Sequence, residues 1–581
     1  MYMAMQYTDR LLNKLRSLGS AGFCNTDSAT TLIYSEDASH LQLGKPLAVV
    51  FPENAEQVSQ VVKLCNEYGV AYVARGSGTG LSGGALPQEN SVVIATSRLN
   101  SIGPCNPEKR TVECGVGAIN SHISRFCLKH NLHFAPDPGS SSVSAIGGNI
   151  AENAGGPHCL KVGMTVDHVI ALQWVDPSGN IHNTSNRNLL GLLHGSEGTL
   201  GVITDATLSL QPNPTSESTL LAMFDSLVDA AGSVMKLQLL QPVALELVDK
   251  KMLEIVEQAF AFGIPTDHAG ALIIEFAGDT ADTDAQHAEQ ILRECGAVSV
   301  KATTDKKQRE ELWQCRRKAF GGVGRIAPHY VTMDITVPPG KLPEIVKKVE
   351  AVGEKYDIQV ATVMHAGDGN LHPGILYNDN KEEAELAADE IIRAAVALGG
   401  SVTGEHGIGI EKLKQAEWQL DKTAVEFMHQ IKDLFDPNNL CNPGKALPQR
   451  GSGIECSAVP DSVIVHKDTL AITTPVDVKW KDLPIDFDKV NPESTVADAI
   501  ENGLVLLEIW AECGGKLFHS GARVTKDVAG YNLVKLLSGS RLAEIKAVTF
   551  KLNPEIREVG ESETADYIAV GLRKIFGGKN E

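Results

Sequence analysis

The 581-residue chain lacks several features that would place a protein at once. No apolar run approaches the roughly 20 residues needed to span a bilayer, so no transmembrane helix is expected. None of the 11 cysteines forms a Cys-x-x-Cys, and the odd, scattered set fits reduced thiols packed as small hydrophobes. No cysteine framework for an iron–sulfur cluster is therefore evident. Positive charge is short as well: 52 Lys and Arg face 72 Asp and Glu, a formal net charge of −20. That balance disfavours binding to a nucleic-acid backbone or to an anionic membrane. Residues 1–18 carry no basic region, apolar core and small-residue cleavage site, so a cytoplasmic location is expected rather than secretion. The remaining composition, 43% hydrophobic and 21% charged, is that of a globular protein with about two to four domains.

The most concentrated signal is residues 363–373, Val-Met-His-Ala-Gly-Asp-Gly-Asn-Leu-His-Pro. Asp368-Gly369 predicts a two-residue hairpin turn, because both central positions need φ > 0. That register sets His365 opposite His372 on one face of a sheet, with Cβ atoms roughly 5 Å apart. Such a pair can share a divalent metal. Two unrelated surface histidines are the competing reading of the hairpin alone. Residues 404–409, Gly-Glu-His-Gly-Ile-Gly, add the carboxylate of Glu405 and the imidazole of His406 between glycines that let backbone approach a ligand. Two histidines plus Glu405 make an open, catalytic metal set, suited to Zn²⁺ or Mn²⁺. His406, next to a ligand, is the candidate base. Asn370 either orients substrate or a ligand histidine, or is a plain turn residue.

Upstream, residues 46–51 read as a strand, a helix follows Pro52-Glu53, and 70–74 return as a strand. Residues 75–84, Arg-Gly-Ser-Gly-Thr-Gly-Leu-Ser-Gly-Gly, then offer five glycines and three hydroxyls to an anion. Gly78, Gly80 and Gly83 satisfy the dinucleotide G-x-G-x-x-G pattern, yet no helix begins there and no acidic residue sits about 20 positions on. The Rossmann reading fails. Further glycine-rich turns at 136–156 and 195–204 alternate with strands, an arrangement that can wrap a long, flat, phosphorylated ligand.

Six stretches carry a family resemblance: RGSGTGLSGGALP (75–87), GGNIAENAGGPHCLKVGMT (147–165), GSEGTLGVIT (195–204), HAGDGNLHP (365–373), GEHGIG (404–409) and NPGK (442–445). The chain resembles the FAD-linked 2-hydroxyacid dehydrogenases of the para-cresol methylhydroxylase and vanillyl-alcohol oxidase type. Within them it is most similar to the branch holding the flavoprotein subunit of bacterial glycolate oxidase and D-lactate dehydrogenases. The resemblance implies an α+β fold: a two-subdomain FAD-binding domain and an α+β cap over the flavin. It assigns the FAD pyrophosphate to Arg75, Gly76, Ser77, Gly78, Thr79, Gly80, Leu81, Ser82 and Gly83. Pro136, Asp137, Gly139, Ser140 and Ser144 would line the cofactor next, then Gly147, Gly148, Asn149, Ala151, Asn153 and Gly155. Thr165, Glu197, Gly198, Val202, Ile203 and Asn442 complete the set. Members with covalent flavin carry a histidine where this chain has Ser77, so the FAD is expected to be non-covalent.

Residues 215–436 alternate strands with amphipathic helices, which predicts one sheet covered on one face. In Trp313-Gln-Cys-Arg316, the resemblance makes Arg316 the clamp on a substrate carboxylate, a group that guanidinium grips bidentately. Thr332 stands where relatives oxidising 2-hydroxyglutarate carry a lysine, which argues for a monocarboxylate. The implied reaction is oxidation of glycolate or D-lactate, with hydride passing to FAD and the proton to His406. Electrons would then leave to a separate acceptor, an iron–sulfur subunit or another redox partner, which could hold the protein at the periphery of the inner membrane. A non-catalytic flavin-binding assembly subunit and a flavin-free metal hydrolase are the competing functions.

The expected organisation is a helical lead-in (1–45), FAD-binding domain (46–214), cap (215–446), linker (447–465) and an extension (466–581). In the extension, 495–513 read as one helix, and Leu-Leu-Ser-Gly-Ser followed by a strand and Leu-Asn-Pro parallels residues 189–212. It resembles a truncated FAD-binding half-domain of the second glycolate oxidase subunit, without a glycine-rich pyrophosphate loop. Docking onto another copy, giving a homo-oligomer, or onto a redox partner is its expected role, with a functionless fusion remnant the competing reading.

Overall fold

The computed structural model describes residues 2–466, 468–469, 471–483, 493–501, 504, 506–513, 516–520, 529–537 and 543–551. Four strands open the architecture: β1 (Cys24–Asn25), β2 (Ala48–Val50), β3 (Tyr72–Arg75) and β4 (Val92–Ala95). They are ordered β1-β2-β4-β3, with β2 and β3 both parallel to β4. Helix α1 (Ala55–Tyr68) connects β2 to β3. The Asn54 side chain caps its start by accepting from Gln57 N, and left-handed Gly69 ends it. Its buried Val58, Val61, Val62 and Cys65 fall at helical spacing and press on the sheet. The glycine loop leaves β3 directly, without a helix.

A second, fully antiparallel sheet holds β5 (Ile102–Asn106), β6 (Thr111–Gly115), β7 (Val169–Val175), β8 (Ile181–Thr184) and β9 (Val202–Ser209). Its order is β5-β6-β9-β7-β8, and helix α2 (Arg187–Leu193) links β8 to β9.

The cap follows with β10 (Glu217–Phe224), β11 (Ala244–Asp249), β12 (Gly270–Ala277), β13 (Ala297–Thr303), β14 (His329–Thr332), β15 (Ile335–Thr336), β16 (Gln359–His365) and β17 (Asn370–Tyr377). They form one antiparallel sheet, β13-β10-β12-β11-β16-β17-β14, with β15 also on β17. Its helices are α3 (Leu227–Gln238), α4 (Lys250–Phe260), α5 (Ala281–Glu294), α6 (Lys306–Arg317), α7 (Leu342–Tyr356) and α8 (Lys381–Ala397). The expectation of a sheet covered on one face is corrected. Alternate residues of β10 enter two separate cores: Leu220, Ala222 and Phe224 join α3, α5, α7 and α8, whereas Leu221 and Met223 join Met252 and Val256 of α4 and Trp313 of α6. Helix α4, unread in the sequence, and α6 supply the second cover.

The extension builds β18 (Ile464–His466), β19 (Ala471–Pro475), β20 (Glu508–Cys513), β21 (Lys516–His519) and β22 (Glu544–Lys551), with helices α9 (Val496–Glu501) and α10 (Leu533–Leu537). The single helix expected over 495–513 is instead α9 followed by β20. Burial is continuous over 506–511, as suits a strand covered on both faces. Much of the run 521–540, and all of the chain after Lys551, lies outside the described residues. No helix among the described residues is long and apolar enough to cross a membrane.

Candidate functional site

The site begins at the β16–β17 hairpin, whose register differs from the expected one. His365 pairs with Asn370 and Val363 with His372, because the turn is a four-residue 3₁₀ turn from Ala366 to Gly369. Gly369 has φ +73°, and a Cβ there would overlap the Val337 carbonyl, so the turn packs tightly against the residue just after β15. A register displaced by two residues keeps every side chain on its face. The histidines are therefore diagonal neighbours rather than direct partners. Their rings still meet, with centroids 5.2 Å apart and planes nearly perpendicular.

Both imidazoles aim at one oxygen. His365 Nε2 lies 3.0 Å and His372 Nε2 3.1 Å from Glu405 Oε1. The donor atoms of these three residues lie within 4.8 Å of one another, a set that fits a divalent ion. Burial pushes the His372 pKa down to about 4, so its ring is neutral at physiological pH, the form a metal ligand needs. His406 stacks on His372, with centroids 5.0 Å apart, at the half-buried mouth of the set.

Two carboxylates absent from the sequence reading organise this cluster. Glu246, fully buried on β11, accepts from Arg316 Nε at 2.7 Å, and its other oxygen lies 2.8 Å from His365 Nδ1. One side chain thus orients a metal-site histidine and a guanidinium together. Asp334, also fully buried, sits where the predicted strand 331–337 breaks into β14 and β15. Its Oδ2 accepts the backbone N–H groups of Gly404, Glu405 and His406 at 2.8, 3.1 and 2.9 Å, and the Thr403 hydroxyl at 2.8 Å. Its Oδ1 accepts from Asn370 Nδ2 at 2.8 Å. Burial alone would raise the Asp334 pKa, but His406, Lys412 and His372 around it hold it well below the carboxylate range. Asn370 is fully buried behind the cavity wall and ties the hairpin to Asp334 and to the Ile335 carbonyl. The signal for both carboxylates was a lone acid inside an apolar strand, since a charge placed there must be paired.

One cavity of about 440 Å³ joins this cluster to the glycine loops. Its wall includes His365, His372, Glu405, His406, Arg316 and Arg317 on the cap side. Arg316 is buried, and its Nη2 has no hydrogen-bond partner among the described residues. Arg317 is more exposed and pairs with Glu310.

On the other side the wall contains Arg75, Gly76, Ser77, Gly78, Thr79, Gly80, Leu81, Gly139, Ser140, Gly147, Gly148, Asn149, Ala151, Gly155, Glu197, Gly198 and Ile203. Ser82, Gly83, Pro136, Asp137, Ser144, Asn153, Thr165, Val202 and Asn442, expected at the cofactor, are not part of that wall. Several of them buttress it. Asn442 Nδ2 donates to the carbonyls of Gly84 and Glu197, Thr165 Oγ1 to that of Ala154, and Asn153 Oδ1 accepts from Val166 N. Asp137 is taken up by His158, which also reaches Glu275 of the cap sheet. Glu197 accepts from Ile408 N and Gly409 N at 2.7 Å each, joining the flavin-side loop to the Glu405 loop; burial pushes its pKa up to about 7.

The cavity suits an extended ligand that brings negative charge and hydrogen-bond acceptors. Arg75 Nη1, Asn149 Nδ2 and Trp174 Nε1 are buried donors at its wall without a partner among the described residues. FAD fits that set.

Comparison with known proteins agrees. The family described as "FAD binding domain" matches residues 46–185, and "FAD linked oxidases, C-terminal domain" matches 213–446. The glycolate oxidase subunit GlcD of Escherichia coli (strain K12) is 39% identical over 420 residues, 70% of this chain and 84% of that one. The D-lactate dehydrogenase of Archaeoglobus fulgidus is 36% identical over 410 residues, 69% of this chain and 91% of that one. Among solved structures, p-cresol methylhydroxylase with substrate bound shares the fold, with TM-score 0.60 at 15% identity over 78% of this chain and 97% of that chain. The 4-ethylphenol oxidase of Gulosibacter chungangensis does so with TM-score 0.61 at 16% identity, over 77% and 98%. With glycine cradle, cap and relatives in agreement, the chain belongs to the FAD-linked oxidases of the para-cresol methylhydroxylase type.

Proposed function

We propose that the protein oxidises a short D-2-hydroxyacid, glycolate or D-lactate, to the 2-oxoacid. The observation that carries this reading is the Arg316 Nη2 donor, buried and unpartnered in the same cavity as His365, His372, Glu405 and His406. A carboxylate is the group such a donor binds best. When bound, FAD supplies the hydride acceptor, and a Zn²⁺ or Mn²⁺ held by His365, His372 and Glu405 supplies a Lewis acid for the hydroxyl. Arg316 holds the substrate carboxylate, and Glu246 fixes Arg316 and His365 relative to each other. His406 receives the hydroxyl proton while the α-hydrogen leaves with its electron pair, and the carbonyl forms. Ser77 at the cradle supports a non-covalent flavin, which acid precipitation should release into the supernatant. The relatives named glycolate oxidase subunit and D-lactate dehydrogenase support the substrate class, and the word subunit supports a partner chain; the electrons pass from the flavin to a separate acceptor, an iron–sulfur subunit or another redox partner.

Anaerobic mixing with glycolate, D-lactate, L-lactate and D-2-hydroxyglutarate tests the reading by flavin bleaching. Glycolate or D-lactate should bleach the flavin, and His406→Ala should keep FAD yet stay oxidised. A wild-type flavin left oxidised by all four acids would refute the substrate class. Bleaching of His406→Ala at the wild-type rate would refute the base.

A further inference from the structure

The family matches stop at residue 446, and nothing in the chemistry above uses the sheet beyond it. That sheet repeats one already described. Its order is β18-β19-β22-β20-β21, all antiparallel, and the second flavin-side sheet runs β5-β6-β9-β7-β8. In both, the sequence of strands across the sheet is first, second, fifth, third, fourth. Both third–fourth hairpins place a tryptophan opposite a histidine: Trp174 with His182, rings 5.1 Å apart, and Trp510 with His519, rings 4.3 Å apart. Both fifth strands slip register against the third. Both carry a short leucine-rich helix between fourth and fifth strands, α2 and α10.

Those two helices pack on each other. Asn188 Nδ2 of α2 donates to the Leu536 carbonyl at 2.6 Å, and a Cβ added at Gly191 would meet Lys535 Cβ at 2.5 Å. Like element meets like, the arrangement of a two-fold dimer within one chain. Just before α10, the fully buried Tyr531 places its hydroxyl 2.8 Å from Thr199 Oγ1. Thr199 belongs to the loop whose Ser196, Glu197, Gly198 and Gly201 line the cavity.

We propose that the extension is a degenerate second copy of the β5–β9 unit that docks in cis through the α2–α10 pair and acts as a built-in subunit, clamping the flavin-side loop 195–201. The α2 face is the docking surface for a unit of this same fold. Filled in cis, it leaves no room there for a separate FAD-fold subunit or a second copy.

Two full-length variants test it, read by the FAD dissociation constant from flavin fluorescence and by the rate of tryptic cleavage within 447–463. Gly191→Leu should pry α10 from α2. Tyr531→Ala removes the clamp from the extension side and leaves residues 1–446 unaltered. Each should raise the FAD Kd by about tenfold or more, and Gly191→Leu should also speed linker cleavage. Faster cleavage with an FAD Kd unchanged in both variants would overturn the clamp. Unchanged cleavage in a folded Gly191→Leu would overturn the docking surface, and if that variant does not fold, Tyr531→Ala alone decides. Neither readout involves turnover, so failure here is distinguishable from failure of the hydroxyacid reading.

Discussion

The two walls of the cavity are built by opposite means. The cradle wall is made of contiguous loops whose glycines and hydroxyls expose backbone and small polar groups, with Arg75 its buried guanidinium. The cap wall is made of ionisable side chains, Arg316, His365, His372, Glu405 and His406, held from behind by the buried carboxylates of Glu246 and Asp334, so that five separate stretches of chain contribute. A backbone binder can be encoded locally, since the loop itself is the ligand surface. A cluster of buried charges cannot, because each charge needs a partner from elsewhere to offset its desolvation.

That contrast predicts where damage is greatest. Glu246→Ala strands Arg316 and His365 at once. Breaking a buried charged pair costs about 3–5 kcal/mol, so anaerobic flavin reduction should slow by a hundredfold or more while FAD stays bound. Near-normal reduction would mean that the two groups hold their positions unaided. On the other wall, Arg75→Ala removes a charge-assisted contact, about 1.5–3 kcal/mol, which should weaken FAD about ten- to a hundredfold. Metal content, measured by elemental analysis, should stay as in the wild type; a loss of both would erase the distinction between the walls. Asp334→Asn presents an amide to three backbone N–H donors and should lower metal affinity by about ten- to a hundredfold with FAD binding intact.

How far each wall could be read in the sequence follows from the same contrast. The glycine loops, the histidines of the hairpin and Glu405-His406 are short motifs, and each lies at the cavity. The hairpin register was misread because the turn holds four residues, yet a slip of two cost nothing in facing. Glu246 is missed because residues 244–249 are not read as a strand, so its acid has no apolar strand to stand out against, and Asp334 because it marks a break inside what reads as one strand. The cap's second cover escaped notice along with α4. In the extension the repeat was legible near residues 533–554, but the cross-strand Trp–His pairs that establish it require the register.

The smallest expected effect is on stability. Burial pushes the pKa of His194, at the end of α2, down to about 4, so the folded protein keeps this ring neutral while the unfolded chain protonates it near its ordinary value. Its contribution is therefore complete above about pH 6.5 and is lost as pH falls toward 4. The melting temperature of His194→Phe should fall less steeply than wild type across that window; parallel curves would place the acid sensitivity elsewhere.

The central claim is that one substrate is held between the cap cluster and the flavin. Its most direct test is the holoenzyme dialysed against a chelator, then mixed anaerobically with D-lactate or glycolate. The account predicts an intact flavin spectrum that no longer bleaches, with bleaching restored by Mn²⁺ or Zn²⁺. Bleaching at the full rate by protein shown to be metal-free would contradict it.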